Sequence, residues 1–182
     1  MSAQLGQITD FMNSKLTTGA IEGLKKSKDE KTKLETDLKT KQEQLRSAQA
    51  KSSLTPKPMT QILQMLPEQR DWFASLKASF KGAFSPIGNW LDKVLRGESV
   101  TVHLKDGFVE KANPTLDDVI LHIANEVRGL GSGNKHYSSA SWASGILFTR
   151  RDELESQYRQ EATGLQTEVA NLQTSATAAA NN

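Results

Sequence analysis

The sequence predicts a mainly α-helical chain: two long terminal helices forming a coiled-coil stalk, an antiparallel hairpin with parallel self-association of each arm as the rival arrangement, around a small α+β head with one β-hairpin. Three observations point there. Aromatic residues cluster, with eight of the eleven Phe, Trp and Tyr side chains between Leu54 and Ile146 and none from Lys25 to Ser53. Leucines recur at heptad spacing towards both ends. Around Lys105-Asp106-Gly107 the pattern changes from helical periodicity to strict alternation.

With 182 residues of which 36% are apolar, the chain can bury one modest core. The expected organisation is an N-terminal segment over 1–17, partly helical or flexible, then a first arm over 18–52. A head over 54–146, a second arm over 147–178 and a flexible tail over 179–182 follow. In the first arm Leu24, Lys31, Leu38 and Leu45 recur every seventh residue, with Ser27, Leu34, Lys41 and Ala48 interleaved at the spacing of a coiled-coil seam. Lys31 and Lys41 weaken that seam, although their methylene stems can lie along apolar neighbours. Ser52-Ser-Leu-Thr-Pro-Lys-Pro ends the arm, because proline removes a backbone donor and blocks the preceding turn.

The head begins with a short apolar helix over Met59 to Leu66. Pro67 opens the next, whose buried face is Trp72, Phe73, Leu76 and Phe80. Pro86 starts a third, with Ile87, Trp90, Leu91, Val94 and Leu95 on one stripe and Gly97 as C-terminal cap. Val100, Val102 and Leu104 then alternate with polar residues before Lys105-Asp106-Gly107 and a second extended run from Phe108 to Lys111, a hairpin signal. Asn113-Pro114 is expected to cap and start a helix carrying Leu116, Val119, Ile120, Ile123 and Val127 on its inner face and ending at Gly129. The Gly- and Ser-rich stretch 129–145 reads as a loop anchored by Tyr137 and Trp142. The second arm follows with Leu147, Leu154, Tyr158, Leu165, Val169, Leu172 and Ala176 near a seam and Gly164 as a weak point.

No catalytic, cofactor or metal site is assigned. Absence of cysteine excludes disulfides and thiolate metal sites. Asp118, His122 and Glu126 fall on one side of a helix, a spacing that suits acid–base chemistry, but a solvated face with ordinary pairing is the favoured expectation. A site at His122, Lys135 and His136 is the weakest alternative. Gly129-Leu-Gly-Ser-Gly-Asn-Lys-His lacks the strand context and spacing of a phosphate loop, and Ser138, Ser139, Ser141 and Ser144 lack a nucleophile motif.

The net charge is +2, too balanced to indicate nucleic acid, which is disfavoured. Residues 20–52 carry nine Lys/Arg against six Asp/Glu, whereas 147–182 carry three against five, so the arms differ in sign. No basic segment followed by an apolar one marks a Sec signal, and no run approaches a membrane span. The expected location is therefore cytoplasmic, or outside the cell by a signal-less route.

These readings predict a non-enzymatic structural or interaction protein that presents its head within a larger assembly, with protein partners, as a homo-oligomer or part of a complex. Coiled-coil contacts are expected at Leu24, Leu34, Leu38, Leu45, Leu154, Tyr158, Leu165 and Leu172. Core packing is the first expectation for Trp72, Phe80, Phe84 and Trp90, and a head interaction surface that touches a partner or membrane the second. The alternative role is a peripheral membrane- or nucleic-acid-binding protein that uses the basic first arm or the Trp/Phe helices. In architecture alone the arrangement resembles secretion-needle tip and filament proteins and coiled-coil virion or scaffolding components, and no residue role carries over from them.

Overall fold

A computed structural model describes the backbone of residues 21–181 and the side chains of residues 25–179. The expectations for 1–17 and for the side chain of Leu24 lie outside the described residues. The fold is 75% helical with one two-stranded antiparallel sheet and a long C-terminal helix, which places it in the mainly-α class. The described residues divide into two compact units, one formed by 21–46 and 163–181, the other by Ser47–Ala162.

Helix α1 spans Ile21–Lys51. It ends where Ser52 turns its hydroxyl back onto the Gln49 carbonyl and the Thr55-Pro56-Lys57-Pro58 stretch denies further helix. That stretch is ordered by long-range bonds: the Leu54 amide and the Thr55 hydroxyl donate to the Glu155 carboxylate at 3.2 and 3.0 Å, and the Leu116 amide donates to the Lys57 carbonyl at 3.0 Å. Helices α2 (Met59–Met65) and α3 (Gln69–Ser75) follow. The predicted face through Phe80 is not one helix, because 3-10 turns occupy Leu76–Ser79 and Gly82–Phe84. Helix α4, Ser85–Leu95, has its proline in the first turn and buries Ile87, Leu91, Val94 and Leu95. It closes as the sequence predicts: Gly97 (φ +78°) donates to Val94 and Glu98 donates to Lys93, the paired bonds of a left-handed C-terminal cap.

Strands β1 (Val100–Leu104) and β2 (Gly107–Lys111) pair with Val102 opposite Val109 and His103 opposite Phe108. Only Lys105 and Asp106 bridge the strands, and Gly107 supplies the positive φ (+127°) that so tight a reversal requires. Helix α5 is Leu116–Leu130. Its N-cap is Thr115 rather than Asn113: the Thr115 hydroxyl accepts from the Asp118 amide at 3.1 Å while the Asp118 carboxylate accepts from the Thr115 amide at 3.0 Å.

Helix α6 runs from Tyr137 to Asn181, 45 residues. Three expectations are corrected here. Residues 137–145 are helical, not loop, since Ala140, Ala143 and Leu147 form a buried stripe that the Ser-rich composition hides. Residues 179–181, expected as a flexible tail, continue the helix. Trp142, expected as an anchor, stands 59% exposed.

The larger unit holds the aromatic core, built around Phe73, Phe84, Leu54, Ile62, Leu91 and Ile123. Each such side chain contributes roughly 1.5–3 kcal/mol by leaving water. Leu147 and Leu154, expected in the second arm's seam, belong to this core, and Tyr158 packs against it. In the smaller unit Leu165 and Val169 are buried, Leu34, Leu38, Lys41, Leu45, Leu172 and Ala176 are half-buried, and Lys41 pairs with Glu168 at 3.1 Å. Ser27 and Lys31, expected in the seam, are exposed. Among the described residues no helix is long and apolar enough to cross a membrane.

Candidate functional site

Of the four aromatic residues expected either in the core or on a head surface, Phe80 and Phe84 are buried (4% and 0% exposed) and offer no surface. Trp72 is half-buried, edge-on to Phe73 and covered by the Arg150 guanidinium 5.0 Å from its ring centre, which Gln69 holds by accepting from Nε and Nη2. Trp90 is also half-buried and sits where polar and aromatic groups of α4, the hairpin and α5 converge.

Asp118, His122 and Glu126 were expected on a solvated helix face. Asp118 and His122 are each 6% exposed, so that expectation fails; helix α5 lays this side against the hairpin and α4. The three residues do not share one site. Asp118 caps its own helix and takes both oxygens' bonds from Lys111 Nζ at 3.1 and 3.0 Å. His122 stacks on Trp90, ring centres 3.8 Å apart and planes 9° from parallel, and its Nδ1 accepts from the His103 amide at 2.8 Å. Glu126 accepts from His103 Nδ1 at 3.1 Å. His136 packs instead against Gly82, so the grouping of His122, Lys135 and His136 has no common centre. Among the described residues no group of three or more His, Cys, Asp or Glu side chains is placed to hold a metal ion.

The hydrogen bonds around β1 share a logic. Residues whose backbone points away from β2 are met by side chains: Trp90 Nε1 donates to the Thr101 carbonyl at 2.8 Å, Asn125 Nδ2 to the His103 carbonyl at 2.9 Å, and His122 accepts from the His103 amide. The free edge of β1 is thereby closed to another strand. Because Nδ1 accepts, the proton of neutral His122 is on Nε2. Burial first, and the neighbouring His103 second, push the His122 pKa down to about 4, so the ring is neutral near pH 7.

Two ring pairs result, Trp90 on His122 and Phe108 on His103, the latter with centres 4.4 Å apart. They flank a cavity of about 250 Å³ lined by Pro86, Ile87, Trp90, Thr101, Phe108, His122 and Glu126. Phe108 is 64% exposed at its rim. Phe108 and His103 escaped the sequence reading as site residues, whereas Glu126 was singled out there with Asp118 and His122. The hairpin register places His103 opposite Phe108, and the i, i+4 spacing places Glu126 beside His122, but the meeting of hairpin and helix is tertiary.

Of the predicted coiled-coil residues, Leu34, Leu38 and Leu45 line one half-buried stripe of α1, and Leu165 and Leu172 belong to the same compact unit. Leu154 and Tyr158 belong to the other. Comparison with protein-family models, with curated proteins and with solved structures finds no match.

Proposed function

We propose that this chain is a non-enzymatic structural or interaction protein whose terminal helices pair as an antiparallel coiled coil and present the aromatic head to partners within a larger assembly. The observation that carries this reading is the Lys41–Glu168 ion pair, set between α1 and α6 within the smaller unit. Lys41 falls within the stripe of Leu34, Leu38 and Leu45 on one helix and Glu168 next to that of Leu165, Val169 and Leu172 on the other, and with Lys41 counted both stripes run at alternating three- and four-residue spacing. An antiparallel register through that pair sets Leu45 against Leu165 and Leu38 against Leu172. With partners 36% and 52% exposed, the ion pair itself is worth only about 0–1 kcal/mol, so it marks the register more than it holds it.

Two features favour an interaction role over a solitary stalk. The seam is poorly filled, with Lys41 at one of its positions and Leu34, Leu38 and Leu45 only half-buried, which leaves room for a further helix. The head exposes Phe108 and Val109 on the hairpin and Trp142 and Phe148 on α6.

Cysteine pairs Leu45→Cys/Leu165→Cys and Leu38→Cys/Leu172→Cys test the seam, with mass measured by light scattering across a concentration series. Disulfides formed within one chain in both variants are expected. Disulfides only between chains, or none in either variant, would refute the hairpin.

A further inference from the structure

The cavity between α4, the hairpin and α5 carries an inference independent of how the arms pair. Its walls are apolar and aromatic, from Pro86, Ile87, Trp90 and Phe108, and no Lys or Arg lines it. His122 is neutral there at pH 7, so the one charge facing the cavity is the Glu126 carboxylate. Glu126 Oε1 accepts from His103 Nδ1, and its Oε2 has no hydrogen-bond partner among the described residues. Ring faces attract cations through their quadrupole, and a carboxylate adds a Coulomb attraction that an anion would meet as repulsion.

The cavity also selects among cations. A primary ammonium has three N–H donors to satisfy on leaving water, and Glu126 Oε2 and the second lone pair of the Thr101 carbonyl, whose first accepts from Trp90, are fewer acceptors than that. An alkylated ammonium has few or no N–H groups and loses little on entering an apolar cage. A volume of about 250 Å³ lies below the roughly 300–1,000 Å³ that encloses a drug-sized ligand, so it admits a head group rather than a whole molecule. The rings are held before any ligand arrives, Trp90 by its bond to Thr101 and its stack on His122, Phe108 by its stack on His103, which reduces the ordering cost of binding.

We propose that this cavity binds an alkylated ammonium group, such as the trimethylammonium of choline, between Trp90 and Phe108 with Glu126 as counter-ion.

The test follows the indole N–H resonances of the full chain by NMR during titration with choline chloride, with Trp90 assigned through Trp90→Phe. The expected result is a saturable shift of the Trp90 resonance, with Kd raised about tenfold by Glu126→Gln and at least about threefold by Phe108→Leu. The neutral isostere 3,3-dimethylbutan-1-ol should bind about tenfold more weakly or worse. Phe108 is largely exposed and Leu retains its apolar bulk, so that variant folds even where Glu126→Gln does not. No shift of Trp90 up to about 50 mM choline, or equal binding of choline and the isostere, overturns the proposal. Sedimentation with phosphatidylcholine but not phosphatidylglycerol vesicles, competed by free choline, supports a lipid head group as the source. Choline binding without vesicle binding supports a soluble one.

Discussion

Protonation of His122 should destabilise the larger unit in acid by an amount the structure fixes. In the unfolded chain its pKa is near 6.5; in the fold, burial and then His103 lower it to about 4. Between those values the unfolded state binds the proton and the native state does not, so stability rises with pH. The contribution is complete above pH 6.5 and is lost as pH falls towards 4. Near pH 5.5 the slope is about 1 kcal/mol per pH unit, and the accumulated loss is about 2 kcal/mol by pH 5 and about 3 by pH 4. His122→Asn removes the titration while leaving a side-chain oxygen at the position of Nδ1 to accept from the His103 amide, at a cost of roughly 1 kcal/mol for the lost stack on Trp90. Urea unfolding followed by tryptophan fluorescence reads this unit, since Trp72, Trp90 and Trp142 all lie in Ser47–Ala162. Wild type should lose about 2 kcal/mol relative to the variant between pH 7.5 and pH 5. A difference between the two that does not change with pH would refute the buried neutral imidazole.

Thr115→Ala should cost about 1 kcal/mol in the same unfolding assay by removing the cap on Asp118, and Thr115→Ser should restore most of it. Gly164→Ala should stabilise the C-terminal helix by up to about 1 kcal/mol, read as a higher midpoint by circular dichroism, because a Cβ there meets nothing within 4 Å.

The stripe of Leu34, Leu38, Lys41, Leu45 and Ala48, the cap at Gly97 and the two-residue reversal before Gly107 were legible in the sequence because each depends on local spacing or backbone freedom. Helix α6 shows where local reading fails. Ser138, Ser139, Ser141 and Ser144 have the composition of a loop, yet Ala140 and Ala143 are wholly buried at helical spacing, and tertiary burial outweighs weak propensity. Leu147 and Leu154 continue the pattern of the seam, so periodicity alone assigned them to an arm, whereas contact with the aromatic core decides which unit owns them.

Hydrophobic period and turn residues act within a few positions of themselves, so a mainly helical chain with two long leucine-bearing ends, one aromatic middle and one hairpin could be read from residue order alone. What Asp118, His122 and Glu126 do follows instead from packing between elements. A helix face is solvated or buried according to what packs on it, and here the hairpin and α4 bring Lys111, Trp90 and His103 to three residues that spacing alone placed in water.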